Sequence, residues 1–185
     1  MKLKYIITSV FVLATVLNVA CSDRDNYTIP KSSFEEKPIV PPVKVETSKV
    51  DGKWRLLVDG QELYVKGAAC NNFYAEAADF GANVVRTYGV SDKSKAILDA
   101  AQEKGLYVNF GLYIKRETDG FDYNNAAAVK AQFDEMKATV ERFKDHPALL
   151  VWSIGNEAEA SYTNLKLWDA INDIAKMIHE TDPNH

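Results

Sequence analysis

The stretch "HPALLVWSIGNEAEA", His146 to Ala160, decides how the chain is read. Its apolar part, Ala148 to Ile154, passes directly into Asn156 and Glu157, two side chains that are costly to bury. Seven residues mostly apolar on both alternating faces suit a parallel strand covered on both sides. Gly155, Asn156 and Glu157 then stand at the C-terminal end of that strand, where the loops of parallel α/β proteins gather their chemistry. An acid at the mouth of an apolar strand bundle is partly desolvated, which disfavours its ionised form and suits a general acid working near neutrality. The plainer alternative is that Asn156 and Glu157 merely open the next loop and cap a helix.

Working outward, "GLYVNFGLYI" (105 to 114) and "ANVVRTYG" (82 to 89) repeat the strand pattern, and "ELYVKGA" supplies an earlier one. Helices separate them. From about Asn125 to Lys144, Val129, Phe133, Met136, Val140 and Phe143 fall on one apolar stripe. A second helix, about Asp92 to Lys104, stops at Gly105, and a third, about Thr163 to Thr181, places Leu167, Trp168, Ile171, Ile174, Ala175 and Ile178 on one side before Pro183. A short helical piece covers Tyr74 to Phe80. Together these make four consecutive βα units, an α/β class with a parallel sheet that is either open and doubly wound or half of an eight-fold barrel. Periodicity does not separate the two, but "KGAACNNFYAEA" after the first strand lacks the glycine-rich phosphate loop an open nucleotide-binding sheet would show. Ahead of the units, the Asp59-Gly60 dipeptide between two β-leaning runs predicts a hairpin.

Composition narrows the classes further. The 185-residue chain carries 22 Lys and Arg against 26 Asp and Glu, with no basic stripe, which argues against nucleic-acid binding. Three scattered His and two Cys offer no metal-ligand spacing, and no metal or cofactor is expected. At the N-terminus, Lys2 and Lys4 precede an apolar run from Tyr5 to about Val16, too short for a membrane span and suited to a signal-peptide core. "LNVAC" then resembles a bacterial lipobox, although Asn18 holds the place where Leu is usual. Residues 1–21 are therefore expected to be a lipoprotein signal peptide with Cys21 lipidated. The polar, Pro-containing segment 22–42 reads as a tether, and 43–185 as the folded domain. This implies a cell-envelope location, at the outer membrane or cell surface of a Gram-negative bacterium. With Cys21 lipidated, Cys70 is the remaining thiol, and no disulfide forms within the mature chain.

"KDHPALLVWSIGNEAE" resembles the fourth-strand signature of retaining (β/α)8 glycoside hydrolases, most closely glycoside hydrolase family 2. "GQELYVKGAA", "GANVVRTYG" and "ILDAAQEKGLYVNFGLYI" are similar to that family's first strand, second strand, and following helix with third strand. The resemblance, over roughly residues 54 to 185, implies the N-terminal half of a TIM barrel preceded by a β-hairpin, and an oligo- or polysaccharide substrate. It implies that Glu157 is the acid/base carboxylate, that Asn156 hydrogen-bonds the sugar 2-hydroxyl, and that Arg86 holds a second, nucleophilic carboxylate ionised. Asn71, Tyr88 and Tyr113, at strand ends, are weaker candidates for lining the site, and Trp152 is read as core. Two places depart from the family: Ala69 stands where many members have Asn, and "TYG" follows Arg86 where a Ser-His pair or similar is common. The sugar subsite is thus expected to differ from that of a typical family galactosidase.

A retaining mechanism needs a second carboxylate about 5 Å from the acid, which the family takes from its seventh strand. The sequence holds four units, so it is expected to be the N-terminal part of a longer protein and inactive by itself. The resemblance leaves open a transglycosylase of the same barrel, or a non-catalytic carbohydrate-binding lipoprotein.

Overall fold

The computed structural model describes residues 40–185. The expected signal peptide, Cys21 and most of the 22–42 tether lie outside the described residues. The chain first forms a three-stranded antiparallel sheet of β1 (Val45–Val50), β2 (Lys53–Val58) and β3 (Gln61–Glu62). Both of its turns are Asp-Gly pairs with positive φ at each position, 49° and 77° at Asp51-Gly52 and the same at Asp59-Gly60. That is the backbone a two-residue turn needs to match strand twist, and glycine takes its second position without a Cβ penalty. The hairpin at Asp59-Gly60 is as expected; β1 and its turn at Asp51-Gly52 are an addition to it.

Four parallel strands follow in the order β4 (Gly67–Ala69), β5 (Val84–Arg86), β6 (Tyr107–Leu112) and β7 (Leu149–Ile154). They alternate with α1 (Tyr74–Asp79), α2 (Ser94–Glu103), α3 (Ala126–Phe143) and α4 (Lys166–Thr181), giving the four βα units read from the sequence. The first strand is shorter and later than expected. "ELYVKGA" splits, because Glu62 pairs within the small sheet while the Asn83 side chain accepts from Lys66 N (2.8 Å) and donates to Tyr64 O (2.9 Å), standing in for a strand partner there. Pairing with β5 begins at Gly67, opposite Val84.

The helix-side face of the sheet forms the main core. Val85, Val108, Phe110 and Leu149 pack with Leu98 and Ala101 of α2 and Phe143 of α3. Leu112 and Ile114 pack with Met136 and Val140 of α3 and with α4. The buried face of α4 is Leu167, Ala170, Ile174, Met177 and Ile178. Trp168, expected on that face, is 41% exposed and instead sets its ring edge-on to Tyr162, centroids 5.6 Å apart. In α3 the expected stripe is present, and the Asn125 side chain caps the helix by accepting from Ala128 N at 3.1 Å.

The small sheet sits under the opposite end of the strands from the candidate site. Val58 packs with Val84 and Leu150, near the starts of β5 and β7, and Val45 N donates to Asn184 O at 2.7 Å. Loop chemistry is thereby left to the C-terminal ends.

Candidate active site

Strand register places the site residues. Arg86, the last residue of β5, is the Cα partner of Asn109 in β6, and Gly111 is the partner of Ser153 in β7. Because Val108, Phe110 and Leu112 face the helices, alternation turns Asn109 and Gly111 to the other face. This face is polar toward the strand ends. Ser153 Oγ donates to Asn109 Oδ1 at 2.5 Å, and both groups are half-buried. Neither Asn109 nor Ser153 was singled out from the sequence. The signal that could have found them is the period-two row shared with Arg86.

Arg86 reaches across the sheet. Its Nη2 donates to Asn156 Oδ1 at 3.1 Å, joining the ends of β5 and β7 over β6. The Tyr88 ring lies 4.8 Å from the same guanidinium, in the range of a cation–π contact. Arg86 Nε is buried and has no partner among the described residues, so the guanidinium retains a free donor. A carboxylate is the acceptor that best matches the guanidinium's planar fork.

The turn after β7 is held in an uncommon backbone shape. Gly155 has φ 73° and Glu157 φ 50°, both in the left-handed region, which a residue with a Cβ enters at a cost of about 1–2 kcal/mol. A Cβ on Gly155 would stand 2.6 Å from Ile114 Cγ2, so any residue but glycine must displace Ile114. Gly155 N also donates to Leu112 O at 2.7 Å, which extends the β6–β7 ladder one residue past the strand. The partial burial expected of Glu157 is not found: its side chain is exposed, because four strands enclose only one side of it.

The weaker candidates divide. Tyr88 lies against the Arg86 guanidinium. Asn71, just past β4, is exposed and makes no side-chain hydrogen bond among the described residues. Tyr113, just past β6, turns to the rim and donates its hydroxyl to Asp119. There Arg116 and Tyr113 hold the Asp119 carboxyl down at about 2, and the bond to Asp119 pushes the Tyr113 hydroxyl up. Trp152, expected in the core, is half-buried and packs against it on Phe110, with its indole Nε1 donating to Asp182 Oδ2 at 2.7 Å. A groove of about 680 Å³ lies in the helix layer between α3 and α4, lined by residues such as Val129, Phe133, Ile174 and Met177, and is separate from these strand ends.

Residues 75–184, more than half of the chain, match the family model described as glycosyl hydrolases family 2, TIM barrel domain. The chain belongs to this family. Over 110 residues it is 31% identical to a β-galactosidase of Arthrobacter sp. (strain B7), an alignment spanning 54% of this chain and 10% of that enzyme. Its fold superimposes on apo β-glucuronidase from Ruminococcus gnavus with a TM-score of 0.51 at 18% identity, covering 76% of this chain and 26% of that one. The same enzyme in complex with C6-substituted uronic isofagomine gives 0.50 at 18% identity, covering 77% and 26%. The chain thus spans about a tenth to a quarter of these relatives' lengths, and the part it shares with the family is the run of βα units that carries Arg86, Asn156 and Glu157.

Proposed function

We propose that this chain contributes the acid/base half of a retaining β-glycoside hydrolase. The observation that carries the reading is the Arg86–Asn156 hydrogen bond, which joins the ends of β5 and β7 at the base of the turn presenting Glu157. In the first step Glu157 gives its proton to the glycosidic oxygen as the bond to the anomeric carbon breaks, and a carboxylate from outside the described residues bonds that carbon. In the second step Glu157, now ionised, takes a proton from the water that displaces this carboxylate. Asn156 binds the sugar 2-hydroxyl, a contact that strengthens as the ring gains oxocarbenium character. The unpartnered Nε of Arg86 is available to the nucleophilic carboxylate, and the guanidinium keeps that group ionised. Membership in a family whose relatives include a β-galactosidase supports a saccharide substrate.

The lipobox-like "LNVAC" and the Pro-containing tether support export and lipid anchoring through Cys21, at the outer membrane or cell surface. An enzyme so placed meets extracellular oligo- and polysaccharides. The reading is tested by Glu157→Gln in the protein as produced by its source. Activity on glycosides with poor leaving groups, which need protonation, falls by about 10²-fold or more, while dinitrophenyl glycosides keep a rapid first step. Equal loss on both, or no loss, removes Glu157 from the acid/base role.

A further inference from the structure

Beyond β7, the chain segment that carries Glu157 is fastened at two points, one at the end of β6 and one on the connection that follows it. The near point is Gly155, hydrogen-bonded to Leu112 O at 2.7 Å and seated against Ile114. The far point is Glu117, in the short 3₁₀ turn Glu117–Asp119. Its Oε2 accepts from Thr163 N at 2.6 Å and from Asn164 N at 3.0 Å, and its Oε1 accepts from the Thr163 hydroxyl at 3.0 Å. These bonds join residues 46 and 47 positions apart in the sequence. Between the two fastenings stand two non-glycine residues in the left-handed region, Glu157 at φ 50° and Ser161 at φ 61°. A loop with two such residues keeps its shape only when its surroundings hold it, since each costs about 1–2 kcal/mol.

We infer that Glu117 is a positioning residue for catalysis, clamping the Asn156–Thr163 loop so that Glu157 meets the glycosidic oxygen at the angle proton transfer requires. Three hydrogen bonds to an ionised carboxylate are of the strong, charge-assisted kind. The two backbone donors also hold the Glu117 carboxyl below its ordinary range, consistent with a clamp that stays ionised in use. No local pattern marks this role, because Glu117 lies in a loop 46 positions from Thr163 along the chain. Its neighbours Arg116 and Asp119 pair with each other at 3.0 Å and stiffen the same turn. Without the carboxylate, the far end of the loop is released while the near end and the helix-side core are untouched.

The inference rests on the acid/base reading of Glu157, and the test separates the two. Glu117→Ala and Glu117→Gln are compared with the unaltered protein on dinitrophenyl and methyl β-galactosides and β-glucuronides, with melting temperature measured in parallel. For Glu117→Ala, kcat/KM on the methyl glycosides falls by about 10–10²-fold, the scale of a misplaced catalytic group, while the dinitrophenyl glycosides change by less than about 3-fold. The loss appears in kcat rather than KM. Glu117→Gln, which keeps one acceptor oxygen, recovers part of it. An equal fall on both substrate classes together with a lower melting temperature would make Glu117 merely structural and overturn the inference, as would unchanged activity on both. A Glu157→Gln variant without leaving-group dependence brings down the acid/base reading and the clamp with it. Dependence in Glu157→Gln but not in Glu117→Ala brings down the clamp alone.

Discussion

Replacing Gly155 by Ala tests whether the turn at the end of β7 is set by the close approach of Gly155 to Ile114. Two costs add. The backbone at φ 73° is left-handed, which a Cβ penalises by about 1–2 kcal/mol. The new Cβ would lie 2.6 Å from Ile114 Cγ2, and Ile114 is 1% exposed in the core with Leu112 and α3, so it yields only by disturbing its neighbours. Such overpacking costs about 1–3 kcal/mol. The expected destabilisation is therefore about 2–5 kcal/mol, a fall in melting temperature of roughly 4–20 °C for a domain of this size. Two controls separate the terms. Gly120→Ala, at φ 84° with nothing within 4 Å of the new Cβ, incurs the backbone cost alone. Gly89→Ala meets only Tyr113 Cβ at an ordinary 3.5 Å and should be near neutral or slightly stabilising. Thermal unfolding followed by circular dichroism gives the three values side by side. If Gly155→Ala is no more destabilising than Gly120→Ala, the Ile114 contact does not hold the turn, and the account of how Asn156 and Glu157 are positioned is wrong.

Asp182 ties β7 to the end of α4, accepting from Trp152 Nε1 at 2.7 Å and pairing with the buried His185 at 2.8 Å. Burial pushes its carboxyl up, but the bonds from His185 and Trp152 outweigh this and hold it below its ordinary range. A depressed carboxyl contributes stability that is present above its unfolded value of about 3.9 and is lost as pH falls through the folded one. Asp182→Asn should therefore cost about 1.5–3 kcal/mol at neutral pH and flatten the acid limb of a stability-versus-pH curve below about pH 4, and an unchanged acid limb would contradict this. For Arg86 and Asn156, a double-mutant cycle on kcat/KM with Arg86→Met and Asn156→Ala should show a coupling of about 1 kcal/mol or more, since each residue uses the other's orientation, whereas strict additivity would mean that the 3.1 Å bond is incidental.

The parts of this fold that were legible in the sequence are those whose signal is local. The apolar run of β7, the stripe of α3 and the Asp59-Gly60 turn each declare themselves within a few residues, and the resemblance to a family fixed the barrel where periodicity alone could not. What escaped reading depends on distant partners. β1 is largely exposed and shows no alternation of apolar residues, so "VETSKV" gave no strand signal despite the Asp51-Gly52 turn beside it. The first barrel strand starts late because a side chain, Asn83, takes the hydrogen bonds a neighbouring strand would otherwise share. Trp168 fits the helical stripe by spacing, yet pairs with Tyr162 outside the core. The same division holds at the site. Asn156 and Glu157 follow from their place after a strand, whereas the Asn109–Ser153 pair and the Glu117 clamp arise only when register and loop geometry bring separate segments together.

Chemical rescue reads out the acid/base role proposed for Glu157. In Glu157→Ala, a dinitrophenyl glycoside still loads the nucleophile, because its leaving group needs no proton, but water then attacks slowly without a base. Azide needs no base. Added azide should accelerate turnover of Glu157→Ala but not of the unaltered protein, and the product should be a glycosyl azide of the same anomeric configuration as the substrate. If azide leaves the variant's rate unchanged and no glycosyl azide forms, Glu157 is not the acid/base group.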